Sequence, residues 1–359
     1  MEPLKIGPIT LDLPAVQAAL SGYSDWPMRV IAKRQGAPYT LCEVMLDQFL
    51  LQVGKRKRTR HFLYHSEEEH PLGGQLMGAE PDQFAAGAAK LVDAGFDVID
   101  INFGCPVKKV LGRCRGGFHL GQPEVALEIV RQTRQQVPTA IPVTVKMRRG
   151  VDDSQQSADQ LYQILEGCIE LGVAAVTVHG RTVEQRYIGP SNWEFLRQLK
   201  QDFPTLTMLG SGDLFSATDC LAMIEQTGVD GVAIARGAIG NPWIFGQLRA
   251  LLRGEKLPAP PSLHQQRDVL AEHFGLAQEL HGDARAPLLM RKFGIKYSAL
   301  HPQRNELRLD FTRVRSEDDW KQVLQTWYHD DAPGCFPAED IHRVQGDVTP
   351  GGGSPLAVS

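Results

Sequence analysis

Cys105 sits in a Gly-Cys-Pro turn at 104–106, just past the apolar run VIDINF. It is not inside an apolar run, where an ordinary core thiol would be. Cys42, Cys168 and Cys220 read as core or half-buried thiols, and Cys114 lies in the basic loop GRCRGG. A thiol placed like Cys105 can serve chemistry; the plain alternative is a structural turn residue. Lys146 interrupts a second run, VTVKMR, and a cation there needs an anionic partner. Schiff-base chemistry is one use of such a lysine. A side chain that merely reaches the surface from a strand end is the bland one. His179 closes a third run, VTVHGRT, either as a donor to a ligand or as a satisfied core histidine. Two more runs lead into glycine-rich turns, GSGDL at 210–214 and ARGAIGNP at 235–242.

These residues can act together only if the elements between them bring them to one end of a fold. From about 13 to 250, short apolar runs alternate with amphipathic stretches. Candidate strands are 15–20, 39–43, 72–77, 98–103, 143–147, 174–179, 206–210 and 231–235. Helical patterns cover 81–94, 123–137, 157–171, 193–203 and 216–226. The last five strands are spaced as parallel crossovers require. Eight strands with intervening helices imply a TIM (β/α)8 barrel rather than an open doubly wound sheet. Prolines 258, 260 and 261 mark a linker, and helical patterning resumes from 263 to 328. The expected organisation is a barrel over 1–255, a small helical domain over 262–330 and an unstructured tail over 331–359.

In such a barrel the chemistry sits at the C-terminal strand ends. Asn102 with Cys105, Lys146 with Arg148, and His179 with Arg181 all fall there. Gly210, Gly212 and Gly237 permit close backbone approach to a phosphate, and Arg236 can pair with one. Tight turns alone are the alternative. The phosphate would belong to a flavin mononucleotide (FMN) or to a phosphorylated small substrate. The electron-rich edge of a reduced flavin would also give Lys146 its partner.

Net charge is −4 and the isoelectric point about 6.3, so no global positive field marks a nucleic-acid binder. Three local clusters do suggest an RNA path, although charge runs are often solvated faces. They are KRKRTRH at 55–61, then Lys108, Lys109, Arg113 and Arg115, then Arg285, Arg291, Lys292 and Lys296. The eleven histidines show no HExxH or other paired ligand spacing, and no metal is expected. No GxGxxG opens a βαβ unit. The N-terminal residues do not read as a signal peptide, no apolar stretch approaches membrane-spanning length, and six cysteines form no dense pattern. A cytoplasmic chain with free thiols is expected.

Together the motifs resemble the tRNA-dihydrouridine synthase family. INFGCPVKKV (101–110) followed by Gly116 is similar to its catalytic-loop signature. LCEVM (41–45), GGQLMG (73–78), VKMRRG (145–150), TVHGRT (177–182), GSGDL (210–214) and GVAIARGAIGNPWIF (231–245) fall in the family's order. The resemblance runs from about 13 to 300 and looks nearest to the bacterial DusB-like branch. It implies an FMN-binding barrel, a helical tRNA-binding domain, NADPH as electron donor and a catalytic unit that acts as a monomer. It also implies roles: Cys105 protonates C5 of a uracil that receives hydride at C6, and Asn102 orients base or flavin. Lys146, His179 and Gln75 would contact the flavin, and Gly212, Asp213, Arg236 and Gly237 would build its phosphate end. Arg181 would contact substrate or close the pocket, and Lys108, Lys109, Arg291 and Lys292 would meet the substrate RNA. Ala19 and Leu20 stand where the family has Pro-Met against the flavin, and Ser211 stands for asparagine. Phe118 stands for a small residue, and RKF (291–293) for Arg-Lys-His. The competing expectations are an FMN barrel acting on a free pyrimidine, and a non-catalytic RNA-binding barrel.

Overall fold

The computed structural model describes residues 3–52 and 61–337. The basic run at 55–61, apart from His61, and the tail beyond 337 lie outside the described residues. Eight parallel strands close into a barrel: β1 (Ala15–Gln17), β2 (Thr40–Leu41), β3 (Leu72–Met77), β4 (Val98–Phe103), β5 (Val143–Arg148), β6 (Ala175–His179), β7 (Met208–Ser211) and β8 (Gly231–Ile234). Neighbours follow chain order, β1 pairs β8, and β2 pairs β3 through Thr40↔Leu72. All eight expected strands and the five expected helices are found. The helices are α2 (Pro81–Asp93), α3 (Pro123–Gln136), α4 (Gln155–Glu170), α5 (Trp193–Asp202) and α6 (Ala217–Thr227). The first strand is shorter than expected. It stops at Gln17, because residues 18–24 turn back on themselves through the Ser24 hydroxyl, which receives the Leu20 N–H at 2.7 Å.

Closure makes every second strand residue point inward. In β4, Ile99, Ile101 and Phe103 pack outward against the helices. Val98 joins an inner cluster with Val16, Tyr39, Leu41, Ala175 and Leu209. That cluster is completed by Leu4, Ile6 and Leu11 of a small antiparallel hairpin, Leu4–Ile6 with Ile9–Leu11, which seals the N-terminal end. The hairpin has only three residues per strand around Gly7 (φ +58°), too few to announce itself by alternation.

After α7 (Ile244–Leu252) come α8 (Leu263–His281), α9 (Ala286–Tyr297), α10 (Arg304–Arg313) and α11 (Glu317–Trp327). They share a core of Phe274, Phe293, Phe311 and Trp320, in which Phe274 stacks on Trp320 at 5.0 Å. Gly294 is needed there, since a Cβ would meet the Phe311 ring at 2.3 Å. Residues 331–337, expected as part of the tail, run back along these helices. The Leu263 N–H donates to Ala332 O at 2.9 Å, and the Cys335 N–H to Leu300 O at 2.8 Å.

The helices dock on the first barrel loop and on α1 (Trp26–Arg34). His281 bonds Asp25, the N-cap of α1, at 3.1 Å, and Lys292 donates to Gly22 O. Beneath that contact Arg29 donates to Glu69 at 2.7 Å, to Ser24 O at 2.9 Å and to Tyr64 O at 2.9 Å. Arg29 and Glu69 are 2% and 0% exposed, so neither charge has water as a substitute partner. Glu69→Ala is therefore expected to cost about 3–5 kcal/mol by stranding a buried guanidinium. Adding Arg29→Met should recover most of that loss in equilibrium denaturation.

Candidate active site

Along the inward face, polarity rises toward the C-terminal end. The lowest polar layer joins Gln75, Asp100 and Thr144, which the register places side by side. Thr144 Oγ1 donates to Asp100 at 2.6 Å, and Gln75 Nε2 donates to its other oxygen at 2.7 Å. Burial pushes the Asp100 carboxyl above its ordinary range, against these two donors and the Lys146 charge.

One layer higher, Asn102 Nδ2 donates to Gln75 Oε1 at 2.8 Å. Its Oδ1 receives the N–H groups of Gly104 at 3.0 Å and Cys105 at 3.1 Å. The Cys105 loop is thus held by a side chain of the strand that precedes it. From the other side the Gly117 N–H donates to Cys105 O at 3.1 Å. Gly116 adopts φ +62°, and a Cβ there would lie 2.8 Å from Cys105 Cβ. Only glycine lets the 116–121 turn close against the cysteine. Cys105 is half-buried, and burial raises its thiol pKa while Arg148 and Lys146 pull it back. The thiol stays protonated at neutral pH.

Lys146 stands beside Asn102 on β5 and is enclosed by the barrel wall. It makes no hydrogen bond or ion pair among the described residues. Burial, then Arg148, lowers its pKa to about 8. Two residues on, Arg148 is 3% exposed. It donates to Gly104 O at 2.9 Å, Thr182 O at 2.8 Å and Arg186 O at 2.7 Å. His179, next to Arg148 in register, accepts the Arg181 N–H on Nδ1 at 3.2 Å. Burial and the nearby cations hold its pKa well below the ordinary value. The neutral ring must carry its proton on Nε2, as a donor.

The strand-seven and strand-eight loops are built tightly. Gly212 adopts φ +115°, and a Cβ would lie 2.3 Å from Ser191 Oγ. At Gly237 a Cβ would lie 2.1 Å from Leu214 O. Asp213 is filled by protein donors: Arg181 Nη2 at 2.7 and 2.8 Å, and the Ser191 N–H at 2.7 Å. Arg181 is 4% exposed and also bonds Gly189 O. Arg181 and Asp213 therefore clamp the Gly212 turn. The Ser211 hydroxyl donates to Ala233 O at 3.2 Å. Arg236 makes no hydrogen bond among the described residues; its guanidinium lies over Phe215 at 5.1 Å and Tyr187 at 5.0 Å. Arg148 meets the same Tyr187 ring at 5.4 Å.

Other expected residues lie elsewhere. Ala19 packs beside the inner cluster, and Leu20 against the main core. Lys108 and Lys109 are exposed on the short helix after Cys105. Lys292 is held where α9 meets the first barrel loop, over Tyr23 at 4.9 Å, and Arg291 is half-buried beside it. Phe118 lines a surface cavity with Glu80, Cys114 and Val125, apart from the Cys105–Lys146 group. A second cavity, about 150 Å³, lies between the strand-eight loop and the C-terminal helices. Arg236, Lys296, Arg304 and Arg308 line it with Asn241 and Asn305. None of the four cations has an ion-pair partner among the described residues. Only Lys296 of the third basic cluster reaches this cavity.

Tyr187 and Asp100 were missed from the sequence, and Arg148 was noticed without a role. Arg148 had a signal, two residues from Lys146 on one strand face. Tyr187 sits in a loop with no period to read. The arrangement is a protonated thiol, an unpaired lysine and a donor histidine around one mouth, with tight glycine turns beside them.

The dihydrouridine synthase (Dus) family model matches residues 16–332. A probable tRNA-dihydrouridine synthase of Mycobacterium tuberculosis is 35% identical over 330 residues, 89% of this chain and 84% of that one. The tRNA-dihydrouridine synthase B of Pseudomonas aeruginosa is 33% identical over 319 residues, 89% of this chain and 93% of that one. Among solved structures, histamine dehydrogenase from Rhizobium sp. 4-9 superposes with a TM-score of 0.55 at 14% identity, over 77% of this chain and 50% of that one. Morphinone reductase in complex with tetrahydroNAD gives 0.52 at 13%, over 72% and 92%. At such identities these two bear on the fold alone. The family match and the sequence relatives extend over nearly the whole chain and include the Cys105 loop, and the chain belongs to the dihydrouridine synthase family, near its DusB-like members.

Proposed function

We propose that the chain reduces the 5,6 double bond of uridines in tRNA, with Cys105 as the acid that protonates C5. The observation that carries this reading is the Cys105 loop itself. Its backbone N–H is held by Asn102, and its thiol, kept protonated by burial, shares the mouth with Lys146 and Arg148. FMN fits the residues present. Lys146 is a cation without a partner, so it would meet the anionic edge of a ring. His179 would donate from Nε2, and Gln75 would meet the ring edge with its remaining amide donor. Arg236 and the Gly212 and Gly237 turns would hold the phosphate, while Arg181 and Asp213 keep those turns in shape. Bound there, FMN supplies the hydride to C6, drawn from NADPH, chemistry that no side chain offers.

Cys105 then gives its proton to C5, and its sulfur keeps the electron pair of the broken S–H bond. Arg148 and Lys146 stabilise the resulting thiolate, and solvent returns the proton. The uridine must leave its stack to reach this depth. Tyr187, 40% exposed between two guanidinium groups, offers an aromatic face at the entrance. The cavity lined by Arg236, Lys296, Arg304 and Arg308 favours a polyanion over a free pyrimidine.

Cys105→Ala should bind FMN and accept electrons from NADPH normally, yet form dihydrouridine about 10²–10⁴-fold more slowly in single turnover. In the unsubstituted protein the reactive form is the protonated thiol, whose pKa is raised. The same step should hold its rate through neutral pH and fall only as pH climbs through that raised value. Full turnover by the alanine variant would remove the acid role. Arg304→Glu with Arg308→Glu should weaken tRNA binding and flatten its dependence on log salt by about 0.9 for each phosphate no longer neutralised. Fluorescence titrations at several salt concentrations would read both, with FMN affinity unchanged.

A further inference from the structure

Four polar side chains link the barrel interior to the cysteine loop, and each link has a defined direction of donation. Thr144 and Gln75 donate to Asp100; Asn102 donates to Gln75; Gly104 and Cys105 donate to Asn102. The two ends of this chain are chemically fixed. A carboxylate can only accept, and a backbone N–H can only donate. Gln75 must therefore turn its NH₂ toward Asp100 and its oxygen toward Asn102. Asn102 must turn its NH₂ toward Gln75, which leaves its oxygen for the loop. Gln75, Asp100 and Thr144 are 1%, 3% and 7% exposed, so water cannot repair a flipped amide.

We infer that Asp100 is a positioning residue, whose side-chain oxygen accepts from Gln75 and so leaves the Asn102 oxygen free to hold the Cys105 loop. The inference rests on the role proposed for Cys105. It concerns how the loop is held, so it can be tested without turnover. Asp100 touches neither Cys105 nor the mouth; it acts through two amides.

The direction can be reversed. Asn102→Asp places carboxylates at both ends of a single amide. Gln75 then faces oxygen against oxygen on one side, whichever way it turns. Adding Asp100→Asn supplies a donor at the far end. The new carboxamide donates to Gln75 Oε1 and Gln75 Nε2 donates to the new carboxylate. That carboxylate still receives the Gly104 and Cys105 N–H groups, and Thr144 still donates to the carboxamide oxygen. Every group is satisfied again, in the opposite sense.

Amide hydrogen exchange of the 102–107 segment in the FMN-loaded protein measures the hold on the loop. Asn102→Asp should exchange about tenfold faster than the unsubstituted protein, and the double variant should return to within about threefold of it. Asp100→Asn alone should also stay within about threefold, since its oxygen can still accept from Gln75. A merely structural role for Asp100 gives additive damage, with the double variant exchanging faster than either single one. That result, or an unaltered rate in Asn102→Asp, overturns the inference. Should Asn102→Asp fail to fold, Gln75→Glu poses the same question. Asp100→Asn should rescue it, because the new carboxylate then accepts from both neighbours; no rescue overturns the inference. Exchange reports nothing about tRNA, so a protein that forms no dihydrouridine can still show the rescue. Dihydrouridine formation without rescue removes only the relay.

Discussion

A closed parallel barrel allows each strand only two directions for its side chains, and that constraint organises this molecule. Outward residues must be apolar to meet the helices, as Ile99, Ile101 and Phe103 do. Inward residues share a narrow cylinder whose N-terminal end is sealed by Leu4, Ile6 and Leu11. A polar group buried there costs free energy unless it finds a partner. Asp100, Gln75, Thr144 and Asn102 find one another. Lys146 finds none among the described residues, and burial brings its pKa down to about 8. Under the function proposed above, that unpaired cation is the one the flavin would meet.

The mouth is therefore electrostatically one-sided. Lys146, Arg148 and Arg236 surround a neutral histidine and a neutral thiol, and the Asp213 carboxylate nearby is neutralised by Arg181. An anionic group entering the mouth meets these cations and the His179 donor. The same bias continues over the strand-eight loop to Lys296, Arg304 and Arg308 on the C-terminal helices. Those helices are fastened to the barrel by His281 on Asp25 and Lys292 on Gly22 O. Net charge is −4 for the whole chain, so this field is local, built by placement rather than composition.

Much of this was legible in the sequence because strands and helices have periods. Runs such as VIDINF and VTVKMR showed both their strands and, through Asn102 and Lys146, the polar end of the barrel. Contacts between distant residues have no period. The Arg181–Asp213 clamp spans 32 positions, and neither residue's neighbours reveal it. Asp100 read as one polar letter in an apolar run, with nothing local to show that Thr144 lies across from it. Tyr187 lies in an irregular loop, and the three-residue strands of the N-terminal hairpin are too short to alternate visibly. Residues 331–337 looked like tail because their partners, Leu263 and Leu300, are far back in the chain.

The function proposed for this mouth is the reduction of uridine in tRNA. Its most direct test is incubation of the purified protein with FMN, NADPH and unmodified tRNA, followed by digestion and mass spectrometry. Dihydrouridine that requires the protein and NADPH, located at discrete sites in the digest, is the expected result. Absence of dihydrouridine from a preparation whose FMN is bound and reduced by NADPH would contradict it.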